Sequence, residues 1–178
     1  MLLLILQSLY FFLPAYFANM APVIMKNINF LAVPLDNGKR FNGKPLLGKN
    51  KTYRGVVFAI FFALIVCFLQ YIAYGTEIGK ELSIFDYGKW YVLGPLIGFG
   101  AIVGDSIKSF FKRRLNIAPG KPFIPFDQLD FVFGGLVLSA FVVRYTWQHA
   151  LTIVIASFFL HIVVNHVAFY TGIRKEKW

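Results

Sequence analysis

Five stretches of the chain, about 2–23, 56–74, 90–107, 131–147 and 150–170, are each long and apolar enough to cross a bilayer as a helix. Backbone N–H and C=O groups in hydrocarbon must satisfy one another, and runs of this length do so as α-helices. The same feature excludes a soluble globular domain. Hydrophobic residues make up 58% of the chain and charged residues 15%, with a mean hydropathy of +0.64, whereas soluble domains carry roughly a quarter charged residues. The lone cysteine, Cys67, lies inside an apolar stretch, which leaves no intrachain disulfide and no cysteine-based metal site. The expected fold is an all-α integral membrane protein of five transmembrane helices, a single polytopic domain over 1–178.

The cations orient this bundle. Of eighteen Lys and Arg residues, seven lie between the first two stretches, five between the third and fourth, and three in the tail. The opposite side holds only Lys80, Lys89 and Arg144. Cationic loops stay on the cytoplasmic side, so the N-terminus is expected outside and the C-terminus inside. The segments 26–54 and 108–130 then become two long cytoplasmic loops. Both are too long and too rich in Gly or Pro for simple turns, and long loops on a rigid scaffold commonly carry function. The active site is therefore expected to form from these loops, facing the cytoplasm.

Three of the eight carboxylates gather at this border: Asp105 at the end of the third stretch, Asp127 and Asp130 before the fourth. An ionisable group beside hydrocarbon is costly and marks a site by default. Spacing of i,i+3 puts Asp127 and Asp130 on one face if the helix has begun there. One account makes Asp127 a helix cap and pairs the other two with Lys112, Arg113 or Lys121. The other makes the trio a hard-cation site, because Mg²⁺ favours one or two carboxylates completed by water and phosphate oxygens. Zinc lacks its usual cysteine or histidine cluster here. Cations around such a trio suit a substrate with several phosphates.

Gly43–Lys49 fits the first part of a P-loop, but Asn50 stands where Ser or Thr should hold Mg²⁺, and no strand precedes it. Its glycines could still let backbone N–H groups approach an anion. Gly94-x₃-Gly98 and Gly100-x₃-Gly104 are expected to let helices pack closely. His161 is expected in an interhelical hydrogen bond, and Asn165 and His166 lie nearer the charged face.

The order of these elements resembles a known family. Gly104-Asp105-x₃-Ser109-x₂-Lys112-Arg113, then Pro119-Gly120, then Asp127-Gln128-Leu129-Asp130, is similar to the signature of membrane CTP:phosphatidate cytidylyltransferases. Lys51-Thr52-Tyr53-Arg54-Gly55 resembles their lysine-threonine element. The archaeal branch, the CDP-archaeol synthases, is closest. It shares the Pro14–Pro22 first-helix pattern, the Pro34-x-Asp36-x-Gly38 segment and the Asn165–Phe169 ending. Arg54 stands where the bacterial enzymes carry Glu, so their two-metal arrangement does not transfer directly.

The resemblance implies cytidylyl transfer from CTP to 2,3-bis-O-(geranylgeranyl)-sn-glycerol 1-phosphate, releasing pyrophosphate, in the cell membrane with Mg²⁺ as cofactor. A second metal or a monovalent cation stays open. On this reading Asp105, Asp127 and Asp130 hold Mg²⁺. Lys51, Lys112, Arg113 and Lys121 bind phosphates, and Thr52 and Ser109 add hydrogen bonds. Asn19 and the 26–54 loop are candidates for reading cytosine. No nucleic acid is expected. The alternatives are a CTP-dependent polyprenol kinase, which would release CDP, and an anion transporter, whose inverted repeats are absent here.

Overall fold

The computed structural model describes residues 1–118 and 121–172. The Pro119-Gly120 pair and the basic tail lie outside them. Among the described residues, four helices are long and apolar enough to cross a membrane: α1 (Leu2–Ile24), α2 (Tyr53–Ala73), α4 (Trp90–Arg114, extended at its start by a 3₁₀ turn over Tyr87–Lys89) and α6 (Trp147–Tyr170). A short helix, α3 (Glu77–Leu82), links α2 to that turn. α5 (Phe126–Ser139) has 14 residues, a rise of about 21 Å against roughly 30 Å of hydrocarbon.

Three helix boundaries lie five residues or more from the sequence expectation. Helix α4 runs on to Arg114, because Lys108, Lys112, Arg113 and Arg114 are good helix formers and the last three sit favourably in the last turn. The first seven residues of the expected second loop are therefore helix. α5 starts at Phe126 and ends at Ser139, whose carbonyl receives the N–H groups of Val142 and Val143. The first loop also carries a hairpin, β1 (Arg40–Phe41) with β2 (Lys44–Pro45), so the fold is not wholly helical. Asn42 and Gly43 at its tip both have positive φ, 48° and 75°, which the Asn-Gly pair of a type I′ turn supplies.

α4 is the central helix, packed against α1, α2 and α5, while α6 rests on α1 and α5. Small residues set these approaches. Gly98 faces α2, where an added Cβ would stand 2.8 Å from Ile60 Cα. Gly100 and Gly104 face α5, where a Cβ would stand 2.4 Å from the Gly134 carbonyl oxygen and 2.0 Å from that of Asp130. Both expected glycine pairs thus pack inside the bundle. Phe11, Phe12, Leu93, Ile97, Phe131 and Ile153 fill the centre. Leu69, Phe133, Phe159 and Val163 face outward among other apolar side chains, a surface suited to lipid. Pro14 and Pro22 stay inside α1 without ending it.

Candidate active site

The first loop is tied down at both ends. Its strands of chain run side by side, with Leu35 N–H on the Lys51 carbonyl at 2.7 Å and Tyr53 N–H on that of Val33 at 3.1 Å. The hairpin clamps onto the end of α4. Arg114 lies over the rings of Phe41 and Phe110, 5.1 and 4.0 Å from their centroids, and donates to the Pro45 carbonyl at 2.8 Å. Lys44 Nζ donates to the Arg114 carbonyl at 2.9 Å, satisfying a free helix-end acceptor.

Asp36 organises the rest of this loop. One carboxylate oxygen accepts the N–H of Gly38 (3.0 Å); the other accepts those of Leu47 (2.8 Å) and Gly48 (3.0 Å). The anion nest expected of these glycines is thus filled from within, by a side chain. Burial alone would raise the Asp36 carboxyl, but these N–H donors outweigh it and hold the group below the usual carboxylate range. The stability it lends is full above the ordinary Asp range, near pH 4, and drains as pH falls through the depressed value. Asp36→Ala is expected to speed hydrogen exchange at Gly38, Leu47 and Gly48 roughly tenfold or more at neutral pH. Wild-type exchange rates at those amides in the variant would contradict this role.

Between this loop and α4 lies a pocket of about 510 Å³, lined by Asp36, Arg40, Lys49, Lys51, Lys108, Ser109, Lys112 and Arg113 among others. That size is typical of small-molecule sites. On α4, Asp105, Lys108, Ser109 and Lys112 fall at i, i+3, i+4 and i+7, one face of the helix. This face meets the first turn of α5.

Behind the pocket wall, the three aspartates and three lysines interlock. Lys108 Nζ lies 3.1 Å from Asp105, 2.9 Å from Asp127 and 2.7 Å from Asp130. Lys51 pairs with the other Asp105 oxygen. Lys112 Nζ reaches both Asp127 oxygens at 3.1 Å and also donates to the Lys121 carbonyl. Asp127 accepts the Phe123 N–H at 2.6 Å, closing the turn into α5. It is not the helix cap, a position held by Pro125. The lysines therefore face the pocket and the carboxylates hold them from behind.

The structure brings together Asp105, Asp127, Asp130, Lys51, Lys112, Ser109 and Arg113. Thr52 caps α2, its hydroxyl oxygen accepting the Gly55 N–H at 3.2 Å. Lys121 contributes its backbone to Lys112 through an exposed residue, and neither it nor Asn19 lines the pocket. His161 and Asn165 stand 3.1 Å apart along α6, and the His161 ring lies 6.1 Å from that of Phe131 on α5. Lys108 and Asp36 were absent from the sequence assignment. The signal for Lys108 was its i+3 place after Asp105, hidden while 108–130 read as loop.

The donor chemistry of the trio fits a hard cation, since three carboxylates already converge on one, the Lys108 ammonium. Their spacing suits that ammonium rather than a metal. Among the described residues no group of three acidic, His or Cys side chains stands ready to hold a metal ion.

Helices long enough to span a bilayer, with a cation-lined pocket at one end, define a class: a multi-pass membrane protein with a pocket suited to anions. A family model described as CarS-like, CDP-archaeol synthase, matches residues 1–178. The CDP-archaeol synthase of Methanocaldococcus jannaschii is 37% identical over 177 residues, covering 98% of each chain. That of Saccharolobus islandicus is 35% identical over 176 residues, covering 98% of this chain and 96% of its own. A solved structure described as an intramembrane enzyme for archaeal membrane lipid biosynthesis superposes with a TM-score of 0.74. It is 32% identical, with 90% of this chain and 94% of that one covered. The chain belongs to the CDP-archaeol synthase family.

Proposed function

We propose that the chain transfers the cytidylyl group of CTP to 2,3-bis-O-(geranylgeranyl)-sn-glycerol 1-phosphate, giving the CDP-lipid and pyrophosphate. Family membership makes it a nucleotidyltransferase of lipid synthesis. The single observation that carries the reading to this pocket is the row of Lys51, Lys108, Lys112 and Arg113 along a pocket wall braced by three aspartates.

In the step, an oxygen of the lipid phosphate forms a bond to the α-phosphorus of CTP. The bond from that phosphorus to the β-phosphate oxygen breaks, and pyrophosphate leaves with the electron pair. The nucleophile is already ionised at neutral pH, so no general base is required. The barrier lies in bringing two anions together, and fixed cations at the phosphates lower it. Lys51, Lys112 and Arg113 bind the triphosphate and the lipid phosphate, and Ser109 adds a hydrogen bond. Lys121 and Thr52, which lie outside the pocket lining, are assigned to the phosphates by the family resemblance alone, and Asn19 and the 26–54 loop are the candidates for reading the base. Asp105, Asp127 and Asp130 would hold Mg²⁺, which when bound neutralises phosphate charge and polarises the α-phosphorus.

We further propose five passes in one polytopic unit in the cell membrane, with α5 as the fourth. Tyr145, just beyond α5, packs against Phe11 in the first half of α1, with ring centroids 5.9 Å apart. Gln7, one turn earlier in α1, donates to the Glu81 carbonyl of α3 at 2.8 Å. α5 thus leads away from the pocket toward the end that holds α3. The pocket end, rich in cations, faces the cytoplasm, with the N-terminus outside.

A nucleotide panel with labelled lipid phosphate tests the reaction. CTP is expected to give labelled CDP-lipid and one pyrophosphate per turnover, with ATP at least roughly tenfold poorer. Formation of CDP with γ-phosphoryl transfer would assign a kinase instead.

A further inference from the structure

Lys108 occupies the point where the three carboxylates meet, and the geometry there is that of an ammonium. Its contacts of 2.7, 2.9 and 3.1 Å are ordinary charge-assisted hydrogen-bond lengths, whereas Mg²⁺ requires oxygens at about 2.0–2.1 Å. Both cannot hold the same oxygens. With Lys51 on Asp105 and Lys112 on Asp127, three ammonium groups face three carboxylates. A free divalent ion gains little from so neutral a cluster, and must displace a cation to enter it. The cluster is well shielded, with side-chain exposures of 14% at Lys108 and 5% at Asp130. Lys108 also lines the pocket, on a flexible four-carbon stem.

We propose that Lys108 is an internal counter-ion that closes the carboxylate trio to free metal until a nucleotide binds. A triphosphate in the pocket offers the ammonium a stronger anionic partner and draws it outward. The vacated carboxylates then receive the divalent ion, so metal binds with the nucleotide and not before it. Lys108 thereby protects a cluster of buried carboxylates from unproductive metal binding, and it changes partner as the substrate arrives. The inference rests on the assignment of the pocket to CTP.

Equilibrium dialysis of the purified full-length protein against Mn²⁺, with and without CTP and without lipid, tests it. Nucleotide-free wild type is expected to retain little Mn²⁺, and CTP to raise its apparent affinity roughly tenfold or more. Lys108→Met is expected to bind Mn²⁺ without nucleotide about a hundredfold more tightly than wild type, since one unit charge has left the ion's surroundings. Asp105→Asn added to that variant should reverse the gain. Lys108→Gln, which keeps a hydrogen-bonding side chain of similar length, serves if the Met variant fails to fold. The wild-type comparison depends on neither variant. Tight Mn²⁺ binding by nucleotide-free wild type, with CTP still retained, would overturn the role of Lys108 and leave the pocket assignment standing. Retention of CTP without Mn²⁺ in every arm would overturn it together with the metal assignment. Retention of neither would remove the pocket assignment as well.

Discussion

Asp105→Asn is expected to lower turnover about a thousandfold, a barrier increase of roughly 4 kcal/mol. The carboxylate sits on the central helix and grips two of the lysines that face the pocket, Lys51 and Lys108. Its neutral isostere keeps shape and some hydrogen bonding but removes one unit of negative charge. Two effects then act in the same direction. The trio loses a ligand for the ion that accompanies the nucleotide, and two ammonium groups lose the partner that aims them. Asp127→Asn should behave alike, since Asp127 steadies Lys112 from both oxygens. The measurement is the rate of pyrophosphate release by purified protein whose melting temperature stays near that of wild type. A folded variant working within tenfold of wild type would contradict the role given to Asp105.

Gly104→Ala is expected to cost about a hundredfold in rate, with a stability loss of about 1–3 kcal/mol. The added methyl would stand 2.0 Å from the Asp130 carbonyl oxygen, so α4 and α5 must separate by about 1.4 Å or more to reach van der Waals contact. Nothing flexible can yield there, because the obstacle is backbone. Gly104 immediately precedes Asp105, and the separation would pull Asp105 and Lys108 from Asp127 and Asp130. Gly134→Ala meets the Gly100 carbonyl oxygen at 2.0 Å and should act alike. Gly135→Ala is the comparison on the same helix. Its nearest neighbour is the Phe12 ring at 3.0 Å, a side chain able to shift. Turnover of the two variants, together with thermal melting, checks the argument. Equal losses at Gly104 and Gly135 would mean that general packing, not the α4–α5 distance, sets the rate.

The parts of the fold that hydrophobicity governs were legible in the sequence. Apolar runs located α1, α2, α4 and α6, and the glycines of α4 announced a close approach without revealing its partners. Helix ends were less legible. The hydropathy of the third stretch stops at Lys108, yet the backbone continues to Arg114 because charged residues propagate a helix as well as apolar ones do. That error concealed the face on which Asp105, Lys108 and Lys112 align. The trio of aspartates was visible as a cluster of costly charges, but which cations they meet depends on how α4 crosses α5. Likewise Gly38, Gly43 and Gly48 marked unusual backbone, while the use of Asp36 to bind the loop's own N–H groups requires contacts across eleven and twelve residues. Such long-range pairing leaves no local pattern.

A structure of the protein with CTP and Mn²⁺, read by the anomalous scattering of manganese, tests the central claim most directly. The predicted result is a manganese peak about 2.1–2.2 Å from oxygens of at least two of Asp105, Asp127 and Asp130, shared with the triphosphate, with the Lys108 ammonium drawn into the pocket. A manganese ion held by phosphates alone, while Lys108 keeps all three carboxylates, would contradict it.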